Sequence, residues 1–313
     1  MRIQPISEKD LPVFASWSSK PELNNQLQRY ILSHWDQGTS RPEWCFTAVE
    51  GEQIVGRVVY WASSAQRSPT DIDFFDVDWT QERYLQIGTA LLNHSFTALN
   101  IAGNQRIKYQ LNHPNALQPV TDQRLQILSA LGFFLRRQGY RWETRNTFPR
   151  EADPQLRYTV VHSEAFLQEI FQRTLTQSLD RGIQRDLTEF GQEEGARRRL
   201  KESRISHRLP DGWQIASLPE GEPVGIIMVG KNDGGPIIDY LGILPEHRGH
   251  GYVHGLLAQG VNILLMSGAK RIRSDCDVNN EPMIRAFQRA AFTMFCTRSV
   301  YVYPSSLPNE TEI

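Results

Sequence analysis

Apolar positions along this chain alternate between two periods. In "WCFTAVEGEQIVGRVVYWA", residues 44–62, two short runs rich in apolar and β-branched residues flank a Glu-Gly pair, which predicts a strand, a tight turn and a second strand. "DIDFFDVDW" (71–79) predicts a further strand, and "GTALLNHSFTALNIAG" (88–103) spaces its apolar side chains three and four apart, as a helix does. The periodicity breaks at "TFPREADPQLR" (147–157), where two prolines and mixed charge intervene. Beyond it the order recurs: a hairpin at 213–230, a strand at 236–244, a helix at 252–268, a strand at 271–278 and a short amphipathic helix within 279–292.

The recurrence points to an internal duplication. "RYLQIGTALL" aligns with "RGHGYVHGLL", placing Arg83 opposite Arg248 at an offset of 165 residues. Near the end of each half, Phe133 stands opposite Phe292 at a similar offset of 159. We therefore expect two domains, 1–150 and 155–305, with the linker between them. The second half carries an extra stretch, 163–205, in which Leu167, Ile170, Phe171, Leu175 and Leu179 keep helical spacing behind an N-capping Ser163. It reads as an amphipathic pair covering one face of the domain, with "ARRRLK" (196–201) on its solvated side.

Composition narrows the function. With 34 Lys+Arg against 35 Asp+Glu, the overall field favours neither nucleic acid nor a membrane surface as a partner. Cys45, Cys276 and Cys296 are too few and scattered for a disulfide framework or a zinc site, so no metal is expected and a reducing, cytoplasmic location is. No signal pattern opens the chain, and no apolar run approaches the roughly 20 residues that span a bilayer.

The chemistry concentrates in "PEHRGHGYV", residues 245–253. A strand that enters a glycine-rich turn and then a helix leaves the first helical N–H groups without acceptors and partly positive, a seat for phosphate. Gly249 and Gly251 let a pyrophosphate approach the backbone closely, although a bare G-x-G also serves as a plain strand-to-helix turn. Neither G-x-x-x-x-G-K-[ST] nor a complete G-x-G-x-x-G with a downstream acid is present, so nucleotide hydrolysis and dinucleotide binding lose support.

Taken with Asn280, Met283, Phe287 and Phe292 after the next strand, this order resembles the GCN5-related N-acetyltransferase (GNAT) superfamily, across the whole C-terminal half. The resemblance implies an α/β (α+β) fold class: two tandem GNAT-like domains, each a mixed, splayed central sheet flanked by helices. In layout the chain is similar to the mycothiol synthases. The first half is eroded, with Gln86 in the place of a motif glycine, and is expected to be degenerate with a weak or absent cofactor site.

The same resemblance implies acetyl-CoA as co-substrate and an amine of a small molecule or peptide as acceptor, with direct acetyl transfer in the C-terminal domain. Backbone at Leu241, Gly242 and Ile243 would hold the pantetheine arm. The turn Arg248, Gly249, His250, Gly251, Tyr252 and Val253 would hold the pyrophosphate, and Asn280 would reach the pantetheine or reacting region. Phe287 stands where the family often has a tyrosine that protonates the departing thiolate. Asp275 is the first choice for the base that deprotonates the amine, and Asp239 the second. A non-catalytic acyl-CoA binding or sensing protein is the alternative reading, and a structural interaction module docking through residues 163–205 is a third.

Overall fold

The computed structural model describes residues 1–17, 24–62, 68–101, 106–113, 119–203, 207–232 and 234–303. The ends of two sequence-predicted helical stretches, Ala102–Gly103 and Arg204–Ile205, lie outside the described residues. Among the described residues two compact units emerge, one of residues 1–136 with 299–303, the other of residues 137–298.

The first unit contains β1 (Arg2–Pro5), α1 (Leu11–Ser16), α2 (Asn24–Asp36), β2 (Cys45–Glu50), β3 (Gln53–Trp61), β4 (Asp71–Val77), α3 (Tyr84–Ala98), β5 (Ile107–His113) and α4 (Pro119–Ala130). Its strands lie in the order β1-β2-β3-β4-β5, antiparallel except for β4 against β5. Gly51, at φ +61°, makes the tight β2–β3 turn that the Glu-Gly pair predicted. β2 and β3 are buried on both faces: Phe46, Val58 and Tyr60 share a core with Leu91, Leu92 and Phe96 of α3, while Cys45 and Val59 join the one that holds Phe14 and Ile31. The last residues of the chain's final strand belong to this unit, Tyr301 and Tyr303 packing on its core.

The second unit opens with most of β6 (Phe134–Thr144), followed by β7 (Arg157–Val160), α5 (Glu164–Leu175), α6 (Arg181–Phe190), α7 (Gln192–Ser203), β8 (His207–Ser217) and β9 (Pro223–Asn232). β10 (Gly235–Ile243), α8 (Val253–Met266), β11 (Ile272–Asp277), α9 (Glu281–Arg289) and the start of β12 (Thr293–Tyr303) complete it. Its sheet runs β7-β8-β9-β10-β11-β6-β12. Residues 137–150, read from the sequence as the end of the first half, thus fall in the second unit. The reason is local: β6 pairs with β11 from Gly139 opposite Asp277 to Thr144 opposite Ile272.

Burial in this sheet follows the pleat. Ile227 and Val229 of β9 pack with Leu257, Val261 and Leu264 of α8, while Ile226 and Met228 meet Leu167, Ile170 and Phe171 of α5 on the opposite face. Gly260 brings α8 close, since a Cβ there would lie 2.9 Å from Ile227 Cδ1. Ser163 caps α5 as expected, its Oγ accepting from Phe166 N at 3.3 Å. The segment 163–203 forms three helices rather than a pair, and Leu179 sits between two of them, 48% exposed. Among the described residues no helix is long and apolar enough to cross a membrane.

Candidate functional site

In the second unit, the parallel strands β10 and β11 separate almost as soon as they meet. Their ladder consists of one register pair, Ile237 with Arg273, reinforced by Ser274 Oγ donating to Ile238 O at 2.9 Å. Past it β10 follows β9, from Tyr240 opposite Met228 to Ile243 opposite Gly225, while β11 follows β6. Backbone that would pair between two joined strands here borders a cleft of about 730 Å³, with Leu241, Gly242 and Ile243 on one wall and Met283 on the other. The register with β9 jumps from Ile238 to Tyr240, which makes Asp239 the extra residue of a β-bulge at the point of separation.

Gly242 is small for a steric reason. A Cβ there would stand 2.7 Å from both Thr174 Cβ and the Tyr240 hydroxyl oxygen. That hydroxyl is hydrogen-bonded to Thr174 Oγ1 at 2.9 Å, and its ring lies 4.6 Å from Phe171. Burial outweighs the hydrogen bond and pushes the Tyr240 phenol up to about 12.

At the end of β10 a short 3-10 turn, Pro245–His247, leads into the glycine turn. Gly249 and Gly251 hold φ of +84° and +85°, and a Cβ on either would meet nothing within 4 Å, so backbone conformation rather than crowding selects glycine. Among the described residues, the N–H groups of Gly249, His250, Gly251, Tyr252 and Val253 have no hydrogen-bond acceptor. The first intrahelical bond runs from His254 N to Gly251 O at 3.0 Å. This exposed row of amides at the N-terminus of α8 has the physical character of an anion seat.

The side chain of Arg248 does not face that seat. Its Nε donates to Ile243 O, Nη1 to Gln177 O, and Nη2 to Thr174 O and Thr176 O, at 2.8–3.2 Å. The guanidinium clamps the carbonyl-rich end of α5 to the start of the turn, and Arg248 also borders the cleft. Asn280 caps α9, its Oδ1 accepting from Met283 N at 3.3 Å, and borders the cleft. Phe287, 1% exposed, is stacked on Trp142 with ring centroids 5.5 Å apart, and is chiefly a core side chain beneath the cleft.

The two carboxylates expected as bases sit in different surroundings. Asp275 is held through both oxygens, by Arg141 Nε at 3.2 Å and Arg298 Nη1 at 2.9 Å. The Asp275 carboxylate thus bridges β6 and β12 through its two ion pairs. Asp239 borders the cleft from the bulge, where β10 and β11 part.

The first unit holds the same elements with the cleft filled. β4 and β5 also pair at only two positions, Asp71 with Lys108 and Ile72 with Tyr109. There, however, Arg124 of α4 donates from Nε and Nη2 to Phe75 O, both at 3.3 Å, and pairs with Asp76. The glycine turn is missing too, since α3 begins at Tyr84 and winds into helix the residues aligned with Gly249–Tyr252. Gln86 is exposed on that helix and blocks nothing; Gly88 instead admits α4, a Cβ there falling 2.4 Å from Ile127 Cδ1.

Sequence reading missed the arginines that face the cleft. Arg137, Arg199 and Arg298 all border it. Arg199 belongs to "ARRRLK", expected to be solvated. Arg197 and Arg198 do point outward, paired with Glu194, but Arg199 turns inward to Asp186 at 2.7 Å, beside buried Ala196 and Leu200. Helical spacing from those two apolar neighbours was the available signal. Among the described residues no group of three or more His, Cys, Asp or Glu could hold a metal ion.

Residues 176–292 match the family model "Acetyltransferase (GNAT) family". No curated protein matches the sequence. Among solved structures, a GCN5-related N-acetyltransferase from Sphaerobacter thermophilus is similar at TM-score 0.63 and 12% identity, over 98% of this chain and 96% of that one. A tandem GNAT protein from the clavulanic acid biosynthesis pathway is similar at TM-score 0.56 and 13% identity, over 98% and 99%. The glucosamine N-acetyltransferase region of a fungal multi-domain GH3 β-N-acetylglucosaminidase gives TM-score 0.55 and 13% identity, over 96% of this chain and 38% of that one. At such identities the structural likeness concerns the fold.

Proposed function

Through residues 176–292 this chain is a member of the GNAT superfamily of acetyltransferases, and from that premise we propose that its second unit transfers an acetyl group from acetyl-CoA to an amine. The observation that carries the reading is the coincidence of the parted strands β10 and β11 with five acceptor-free amides at Gly249–Val253, in one cleft. The amides would receive the pyrophosphate and the β10 backbone at Leu241–Ile243 the pantetheine arm. Asn280 would steady the same arm from the opposite wall.

Asp239 is the group we assign as proton acceptor. An alkylammonium near neutral pH is almost entirely protonated, with a pKa of about 10.4, so attack on the thioester carbonyl needs a base. The amine nitrogen forms the new C–N bond, the C–S bond breaks, and the amine proton passes to the Asp239 carboxylate. The departing thiolate, with a conjugate acid of pKa about 8.5, can take its proton from water, which suits a site where Phe287 offers no donor. Asp275 acts here as a positioning residue that orders Arg141 and Arg298.

Titration calorimetry with acetyl-CoA, paired with an assay for free thiol over a panel of amines, tests the proposal. Micromolar binding with amine-dependent thiol release is expected. Binding without release for any amine would replace the enzyme with a sensor; no binding would remove both.

A further inference from the structure

A second feature of the cleft bears on what the acceptor looks like. Arg137 comes from β6 and Arg199 from α7, and the two converge over Gly182 near the start of α6. A Cβ on Gly182 would lie 3.0 Å from Arg137 Cδ and 3.2 Å from Arg199 Nη2. Both arginines border the cleft, as do Leu179 and Ile183.

Among the described residues, each guanidinium is anchored by one terminal nitrogen. Arg137 Nη2 meets Asp180 Oδ2 at 2.7 Å, and Arg199 Nη2 meets Asp186 Oδ2 at 2.7 Å. The Nε–H of each is buried with no acceptor among the described residues. A guanidinium carries five donors in a plane, and a buried donor without an acceptor is costly, so both side chains hold donors in reserve for a planar acceptor. The two aspartates hold the forks in place while leaving those donors unused.

At the start of α6, two of the backbone N–H groups are taken by carboxylates and a third is left over. Asp180 caps α6 by accepting from Ile183 N at 3.0 Å, and Arg181 N donates to Asp277 at 3.2 Å. Gly182 N, in the first turn of α6, has no acceptor among the described residues. Asp239 and Glu202, by contrast, border the same cleft with negative charge. One end of the cavity therefore suits an anion and another part suits an ammonium.

We propose that the acceptor amine also carries an anionic group, carboxylate or phosphate, which Arg137 and Arg199 receive over Gly182. The inference rests on the acetyl-transfer reading above.

The test measures kcat/KM for acetyl transfer to matched amine pairs: an amino acid against its carboxamide, and an amino sugar phosphate against the unphosphorylated amino sugar. We expect the anionic member of at least one pair to be favoured by about tenfold or more, the size of one or two charged hydrogen bonds, with the winning pair telling carboxylate from phosphate. In Arg137→Gln and Arg199→Gln that preference collapses through KM, while calorimetric affinity for acetyl-CoA is unchanged. Arg137→Lys, which keeps a charge beside Asp180 should the glutamine variant fail to fold, retains part of it. Equal use of both members, or a preference that survives the variants, overturns the inference. Failure to bind acetyl-CoA, or binding with no transfer to any amine, condemns the acetyl-transfer reading instead.

Discussion

Arg124 donates from Nη2 to the carbonyl oxygen of Phe75 at 3.3 Å, across the gap where β4 leaves β5. At the offset that aligns Phe133 with Phe292, the residue matching Arg124 is Met283, and it borders the open cleft of the second unit. A guanidinium thus meets the Phe75 carbonyl in the first unit, where the second has a thioether at the matching place.

Met283→Arg should therefore close the second cleft by the means the first unit already uses. We expect affinity for acetyl-CoA to fall by at least about tenfold, a neutral-to-charged hydrogen bond competing directly for the β10 backbone. Thermal stability should hold, since the new guanidinium finds carbonyl acceptors. Unchanged calorimetric affinity would mean that the gap beside Met283 is not where the ligand lies.

Gly251→Ala asks for a left-handed backbone from a residue that resists it, at a cost of about 1–2 kcal/mol, with nothing in the surroundings to clash. The turn can relieve that strain only by rotating the amides of Gly249–Val253 out of their row. Gly132→Ala is the matched control, with φ +82° and open space, in the first unit. Both variants should lose similar stability in urea; only Gly251→Ala should also weaken acetyl-CoA binding, by roughly tenfold. Equal binding by both would show that the turn touches no ligand.

These sites differ in how far the sequence disclosed them. The glycine turn, the strand order and the parting of β10 from β11 follow from period, spacing and a family resemblance, because backbone conformation leaves a local signature at Gly249 and Gly251. The fate of Arg248 does not: its four carbonyl partners lie on α5, on the following turn and at the end of β10, up to 74 residues away in sequence. The same holds for Asp275, whose arginines come from β6 and β12. Charge neutralisation across strands is a tertiary property, and no local window contains it. Residues 137–144 were read with the first half for the same reason, their partner β11 being more than a hundred residues downstream.

In the first unit, burial pushes the Asp73 carboxyl up to about 6; the Tyr30 hydroxyl, donating at 3.1 Å, opposes this and neighbouring Asp71 adds to it. A carboxyl raised above its unfolded value of 3.8 binds its proton more tightly when folded. Its contribution is accordingly full below about pH 4 and lost as pH rises through 6. Asp73→Asn has no such titration. The stability of the variant minus that of the wild type should grow by roughly 2 kcal/mol between pH 4 and pH 7 in urea melts. A difference independent of pH would show that Asp73 is solvated.

The assignment of the base separates two variants that sequence alone would treat alike. Asp239→Asn keeps the size of a side chain on the bulge of β10 and removes its capacity to take a proton, so kcat should fall by about 10²–10⁴ with acetyl-CoA affinity intact. The acidic limb of the kcat/KM profile, which reports deprotonation of the free enzyme's base, should vanish with it. Asp275→Asn acts differently. It leaves Arg141 and Arg298 facing each other without the carboxylate between them, and should cost roughly 1–3 kcal/mol of stability in urea, softened by partial solvent access. The acidic limb should persist in that variant, because the group that titrates is untouched. If instead Asp275→Asn abolishes the limb and Asp239→Asn spares it, the ion pairs of Asp275 must open during turnover, and the proton passes to the carboxylate on β11 rather than to the one on β10.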